Sequence, residues 1–271
     1  MVPEVFRVRR RVQETNDTWT LELEPSNGAT QRPFEPGQFN MLYAFGIGEV
    51  PISICGDPSN GGPLLHTVRA VGSVTEAICR CDPGDQLGVR GPYGSSWPVD
   101  EAAGDDLVIV AGGLGMAPLR PAVLAAIAGR ERFRDVFLLY GGREPEQLLY
   151  RGELGRWATD PAIQFGLTVD SAGGDWSGDV GVVTRLIDRA EFDPPRAVAL
   201  LCGPEVMLRF AVRALRDRGV PADRIHISME RNMKCALTHC GRCVFGPTYV
   251  CREGPVMRFS DIERFFALKE V

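Results

Sequence analysis

Leu107-Val108-Ile109-Val110-Ala111-Gly112-Gly113-Leu114-Gly115-Met116-Ala117-Pro118 is the stretch from which the fold can be read. The apolar run predicts a strand buried on both faces. The glycines after it allow a tight turn and a close backbone approach. Pro118 suits a first helical turn, where its missing N–H is not needed. Strand, glycine loop and helix together make an anion site, because a helix N-terminus aims unsatisfied N–H groups at its ligand. The pattern is G-x-G-x-x-P rather than the dinucleotide G-x-G-x-x-G. Alone it fits a plain tight turn as well. Its place directly after a buried strand favours a phosphate loop.

The same rhythm continues downstream. Val136–Tyr140, Ile163–Val169, Ala197–Cys202 and Arg224–Ser228 read as further buried strands. An amphipathic helix precedes the last of them. Its apolar residues are Val206, Met207, Phe210, Ala211, Ala214 and Leu215, and Gly219 with Pro221 closes it. Its arginines, Arg209, Arg213, Arg216 and Arg218, read as a solvated face. Strands alternating with helices predict a doubly wound parallel sheet. Cys202-Gly203-Pro204 follows the fourth strand, across the switch point where such sheets bind ligands. Cys202 either packs as a small hydrophobe or faces that ligand. The second strand runs into Gly141-Gly142-Arg143, where recognition of an adenosine ribose is decided. The first charge there is Arg143, with Arg151 further on. A cation at that place predicts NADPH over NADH, unless Arg143 only caps a surface turn and selects neither.

Upstream the rhythm differs. Thr18–Glu24 alternates with period two, and Asn40–Ala44, Leu64–Val71 and Gln86–Arg90 are further short strands. Such spacing predicts a closed antiparallel barrel. Ser73-Val74-Thr75-Glu76 has the form of a capping box and starts a short helix that stops before Pro83-Gly84. Arg69 and this helix start offer a cation and an anion-binding helix end. Gly94–Pro98 through Gly104-Asp105 reads as a linker. Cys55, Cys79 and Cys81 read as packing residues.

Near the C-terminus stands Cys235-Ala-Leu-Thr-His-Cys240-Gly-Arg-Cys243, with Cys251 after seven more residues. C-x4-C-x2-C…C is the plant-type spacing for a [2Fe-2S] cluster. Gly241 permits the tight loop, and a hairpin turning at Gly246-Pro247 returns the fourth ligand. A structural zinc site or a disulfide pair are the other readings. Zinc knuckles more often pair short C-x2-4-C units. A Rieske-type site needs two histidines, and His239 is alone.

The 271 residues suffice for about two domains. The division expected is 1–98 for the barrel, 99–228 for the α/β domain, and 229–271 for the cysteine loop and tail. Hydrophobic residues make up 44% and charged residues 24%, as in ordinary globular proteins. A net charge of -5 argues against nucleic-acid binding. No apolar run reaches the roughly 18 residues of a membrane span, and the N-terminus has no signal-peptide core. A cytoplasmic location is expected, with the eight cysteines reduced. No catalytic acid-base triad stands out.

Pro36-Gly37-Gln38-Phe39, Pro51-Ile52-Ser53-Ile54, Gly113-x-Gly115-x-x-Pro118 and Cys202-Gly203-Pro204 together resemble the ferredoxin-NADP reductase superfamily along essentially the whole chain. The C-terminal cysteine loop is similar to that of its iron-sulfur electron-transfer subunits. These include the dihydroorotate dehydrogenase electron-transfer subunit, the anaerobic sulfite reductase B subunit and the gamma subunit of cytoplasmic NADP-linked hydrogenases. Glu49–Ile54 and Val68–Thr75 look closest to the hydrogenase type. The resemblance implies FAD in the barrel. Ile52 and Ser53 would lie at the isoalloxazine, with Pro51 also binding the cofactor, and Thr67, Val68 and Arg69 along the ribityl-phosphate side. Val74 and Thr75 would lie at the pyrophosphate. NADP or NAD would take Gly112, Gly113, Gly115, Met116, Arg143, Cys202, Gly203 and Pro204. Cys235, Cys240, Cys243 and Cys251 would hold the cluster. Many relatives carry an arginine and an aromatic ahead of the serine, where this chain has Val50-Pro51-Ile52. The implied role is an electron-transfer subunit between NAD(P)(H), FAD, a [2Fe-2S] cluster and a larger partner, a NiFe hydrogenase first among them. A non-catalytic redox sensor is the reading from another class.

Overall fold

The computed structural model describes residues 2–30, 32–59, 63–266 and 268. Met1 and Val271, the outer bounds of the expected division, lie outside the described residues. Six antiparallel strands come first: β1 (Glu4–Gln13), β2 (Thr18–Pro25), β3 (Phe39–Ala44), β4 (Gly48–Ser53), β5 (Leu64–Arg69) and β6 (Gln86–Tyr93). Their order across the sheet is β4-β3-β6-β1-β2-β5. Period-two alternation sends Leu21 and Leu23 of β2 inward, onto Phe6, Val8, Val68 and Leu87. The sheet curls until its edge strands meet. Ile54 bridges His66, and the Cys55 amide donates to Leu65 at 2.9 Å. Beyond that seam the edges of β4 and β5 are not laddered to each other.

The helix α1 (Ser73–Arg80) packs Ile78 and Cys79 onto the barrel core. Its cap differs from the one expected. Gly72 is the N-cap, and the Thr75 hydroxyl accepts from the amides of Val71 and Gly72 at 3.0 and 3.1 Å. Ser73 is already inside the helix, so it cannot cap it. Glu76 pairs with Arg80 at 2.7 Å instead. The expected linker is a packed seam: Trp97 is buried, and its indole donates to the Pro118 carbonyl at 2.8 Å.

The second layer alternates β7 (Asp106–Gly112), α2 (Met116–Ala128), β8 (Val136–Gly142), α3 (Arg151–Trp157) and β9 (Gln164–Val169). It continues with β10 (Asp179–Val180), α4 (Thr184–Arg189), β11 (Ala197–Cys202), α5 (Glu205–Asp217) and β12 (Ile225–Ser228). The order β10-β9-β8-β7-β11-β12 is parallel throughout. Every residue of β7 and β11 is buried, as unbroken apolar runs demand. The chain leaves β7 in both directions, so the switch point lies between β7 and β11.

On α5 the buried stripe is Leu208, Ala211, Val212 and Leu215. Val206 and Phe210, expected inside, are 63% and 59% exposed. The apolar pattern is wide enough to allow two phases, and packing onto the sheet selects one. Arg218 also departs from a solvated face. Its guanidinium stacks 3.9 Å from the Phe192 ring centroid.

The last segment holds the hairpin β13 (Val244–Phe245) and β14 (Thr248–Tyr249), turning at Gly246. Then come α6 (Val250–Glu253), β15 (Val256–Arg258) and α7 (Phe259–Phe266). β15 adds antiparallel to β12 and makes the sheet seven-stranded. Cys243, Phe245, Cys251, Phe259 and Phe266 share one core with β11 and β12. The cysteine segment is thus packed into the α/β layer.

Candidate functional site: two nucleotide cradles and a four-cysteine loop

The glycine loop is built by close approach. A Cβ on Gly115 would lie 2.3 Å from the Cys202 carbonyl oxygen. The loops after β7 and β11 therefore touch backbone to backbone. Met207 fills the space beside Gly112 and Gly203. Gly113 differs: its φ is +52° and nothing approaches its missing side chain. It offers bare backbone to a ligand, just ahead of Met116 at the start of α2. Tyr140 braces the turn, donating to the Gly113 carbonyl at 3.1 Å and accepting from the Leu149 amide at 3.1 Å. Burial pushes its phenol well above the ordinary value. The sequence alone marks Tyr140 only as part of a strand. An aromatic with a polar handle inside an apolar run was the available signal.

Cys202 is buried, and burial raises its thiol far above the ordinary range. Gly203 and Pro204 lead into α5. At the rim, Arg143 is exposed at the end of β8, and its carbonyl accepts the Ser171 amide at 3.0 Å. Asp170, beside it at the end of β9, donates its amide to Gly142 at 2.9 Å and is exposed. Arg143 therefore shares the rim with a carboxylate that sequence reasoning overlooked. A charge closing a buried strand was the signal. Arg151 bends back to donate to the Pro145 carbonyl at 3.0 Å.

In the barrel, Pro51, Ile52 and Ser53 form the end of one edge strand and Thr67, Val68 and Arg69 the end of the other. Thr67 and Val68 are buried. Thr67 bonds Thr20 at 2.8 Å and Tyr150 at 2.7 Å, and Val68 sits in the core. What these two offer the gap is main chain. Arg69 is exposed. Val74 packs against the start of β4, where a Cβ on Gly48 would meet it at 3.1 Å. The helix start thus lies beside both edge strands.

His66 fixes the spacing of the two edges. Its Nδ1 lies 2.9 Å from the Ser53 carbonyl and its Nε2 3.1 Å from the Asn40 amide nitrogen. A carbonyl only accepts, so the proton is on Nδ1 and Asn40 donates to Nε2. Burial lowers the imidazole pKa to about 4, so the ring is neutral. A flavin dinucleotide fits this gap: an open sheet edge, the exposed Arg69, and the leading N–H groups of α1 for a pyrophosphate. A cleft of about 520 Å³ lies elsewhere, between the outer faces of β1 and β2 and α3, lined by Arg10, Glu14, Arg120 and Tyr150.

The cysteine loop is held in strained backbone. Ala236 and Thr238 have φ of 59° and 63°, values that side chains rarely adopt, and Gly241 follows at 69°. All four cysteines are free thiols. The Leu237 amide donates to Cys235 Sγ at 3.3 Å. The Cys240 thiol is drawn down to about 7, first by the Arg242 amide and then by Cys235. Cys251 is pushed up to about 11 by burial and its bond with Cys243. Cys240 is thus influenced by Cys235, and Cys251 by Cys243 and Cys235. Among the described residues no three ligand side chains surround one point. A [2Fe-2S] cluster asks for two thiolates at each of two irons, and the donor set fits it.

Residues 109–213 match the family described as oxidoreductase NAD-binding domain. The chain is 36% identical over 244 residues to sulfhydrogenase 2 subunit gamma of Pyrococcus furiosus, covering 84% of each chain. It is 34% identical to a probable dihydroorotate dehydrogenase B (NAD(+)) electron transfer subunit of Methanothermobacter thermautotrophicus, covering 97% of this chain and 91% of that protein. Among solved structures, a chain of the NADH-dependent reduced ferredoxin-NADP oxidoreductase superposes with a TM-score of 0.75 at 23% identity, over 98% of this chain and 94% of that one. That likeness speaks for the fold. The barrel, the nucleotide sheet and these relatives agree: the chain belongs to the ferredoxin-NADP reductase-like oxidoreductase family of the sulfhydrogenase gamma and dihydroorotate dehydrogenase B electron-transfer subunits.

Proposed function

We propose that this chain is an NAD(P)H-linked electron-transfer subunit carrying FAD and a [2Fe-2S] cluster, and that it serves a larger partner. The observation that carries this is a loop of left-handed backbone that bears four free thiols, Cys235, Cys240, Cys243 and Cys251, with Cys243 and Cys251 packed into the core of the parallel sheet. When bound, FAD would supply hydride acceptance from the nicotinamide and the cluster one-electron transfer. The chain's own part is placement. Gly113 and the start of α2 receive the dinucleotide phosphates, and Cys202, Gly203 and Pro204 border the nicotinamide. Pro51–Ser53 and the main chain of Thr67–Arg69 hold the flavin ring and its chain, with Val74 and Thr75 at its pyrophosphate. Cys235, Cys240, Cys243 and Cys251 hold the irons.

The functional division is 1–98, 99–228 and 229–271, the last part lending β15 to the sheet of the second. The partner we favour is a cytoplasmic NiFe hydrogenase, since the gamma-subunit relatives are named as subunits of sulfhydrogenases. Among the described residues no helix is long and apolar enough to cross a membrane. Purified anaerobically, the chain should oxidise NAD(P)H with a dye acceptor, and a tagged copy in its native cell should bring down larger iron-sulfur subunits. Failure to reduce dye with flavin bound would leave the redox-sensor reading instead.

A further inference from the structure

Arg90 stands between the strand that carries Pro51–Ser53 and the cysteine loop. It projects from β6, and the register aligns Arg90, Met41 and Pro51 in one row across β6, β3 and β4. Its side chain is only 7% exposed. Nε and Nη2 donate to the two carboxylate oxygens of Glu49 at 3.1 and 2.7 Å. Glu49 lies on β4, two residues ahead of Pro51. Nη1 donates to the Tyr93 hydroxyl at 3.3 Å and to the Cys235 carbonyl at 3.4 Å. A guanidinium is planar and its donors point in fixed directions. The fork on Glu49 therefore aims Nη1 at Tyr93 and Cys235.

We propose that Arg90 is a positioning residue that sets the cysteine loop against the flavin-binding strand and tunes the cluster's readiness to accept an electron. This rests on the flavin and cluster assignments above. Two physical effects support it. Electron transfer falls steeply with separation, and Arg90 ties the backbone of the first cluster ligand to the β4 edge of the barrel. Four thiolates, two sulfides and two ferric ions sum to a negative charge, which grows by one on reduction. A buried cation beside the first ligand favours the reduced state, and burial keeps salt from screening it. Glu49, the partner of the fork, is 28% exposed on its side chain, so water offsets its charge more than that of Arg90.

The attachment does not depend on Arg90 alone. The Ser95 amide donates to the Gly254 carbonyl at 2.6 Å, and its hydroxyl to the Val256 carbonyl at 2.7 Å. Loss of Arg90 should shift the loop rather than release it.

The test uses the full chain, purified anaerobically, as Arg90→Gln and Arg90→Lys. Three properties are read: iron and flavin content, the cluster midpoint potential by EPR-monitored titration, and separate stopped-flow rates of flavin and cluster reduction by NADPH. Arg90→Gln should keep both cofactors and the rate of flavin reduction. Its cluster potential should fall, and cluster reduction should slow severalfold, because both the driving force and the separation from the flavin become less favourable. Arg90→Lys should restore the potential but not the rate, because an ammonium carries the charge without the fork. A variant with both cofactors, parental potential and parental cluster rate overturns the proposal. If Arg90→Gln loses its iron, Arg90→Lys decides, and a parental rate there overturns it too. A parent protein lacking iron or flavin would instead overturn the assignments beneath it.

Discussion

The hydroxyls of Tyr150 and Thr67 lie 2.7 Å apart and join the start of α3 to β5 across the interface between the two layers. Tyr150 holds a left-handed backbone, φ 55° and ψ 41°. Its amide donates to Glu14 at 3.0 Å, and Arg120 lies 5.3 Å from its ring centroid. Thr67 also bonds Thr20 and Cys55. Tyr150→Phe removes one buried hydrogen bond and little volume. Its stability should fall by about 1 kcal/mol, read as a lower denaturant midpoint at unchanged slope. An unchanged midpoint would mean that the bond does not couple the layers.

Gly115 admits no side chain. Alanine there would press on the Cys202 carbonyl from 2.3 Å, and backbone has no flexible end to yield. Gly115→Ala should cost about 1–3 kcal/mol and separate the two nucleotide loops. The KM for NAD(P)H should rise while flavin content holds. Normal KM values in a folded Gly115→Ala protein would show that loop contact is dispensable.

Arg143 and Asp170 carry opposite charges at the ends of β8 and β9 and are expected to act oppositely on cofactor choice. We expect Arg143 to bind a 2′-phosphate, so that NADPH is preferred. Arg143→Ala should raise the KM for NADPH about tenfold, the loss of roughly 1.5 kcal/mol from a charged contact. Asp170→Ser should lower that KM, because a carboxylate repels the phosphate. Equal effects of Arg143→Ala on both cofactors would remove Arg143 from the site.

His66 predicts a pH dependence. Its imidazole titrates near 4 in the folded barrel and near 6.5 when unfolded. Between those values the unfolded chain binds more protons, so stability falls as pH drops from 6.5 toward 4. The loss amounts to about 3 kcal/mol at most. His66→Asn should flatten this slope. The slope from His226, whose pKa is also lowered by burial, has the same sign and should persist. An unaltered profile in His66→Asn would place the acid sensitivity elsewhere.

What the sequence made legible was local. Leu107–Pro118 showed its strand, loop and helix because burial, turn and cap each leave a mark within a few residues. C-x4-C-x2-C pointed to a [2Fe-2S] site through spacing alone. Pairings between distant segments left no such mark. β15 joins β12 only because the chain returns after the cysteine loop, and Arg90 meets Cys235 across 145 positions. Thr75 displaced the expected cap because its hydroxyl reaches back to two amides, which Ser73 inside the helix cannot do. Asp170 is not legible beside Arg143 in the sequence because strand neighbours, not sequence neighbours, bring the ends of β8 and β9 together.

The most direct measurement of the central claim is metal, sulfide and flavin analysis of the anaerobically purified chain beside Cys240→Ser. The parent should carry about two iron, two acid-labile sulfide and one FAD per chain, as the four-thiol loop and the open barrel edge require. Cys240→Ser should lose the iron and sulfide and keep the flavin. Zinc without iron in the parent, or iron unchanged in Cys240→Ser, would contradict the account.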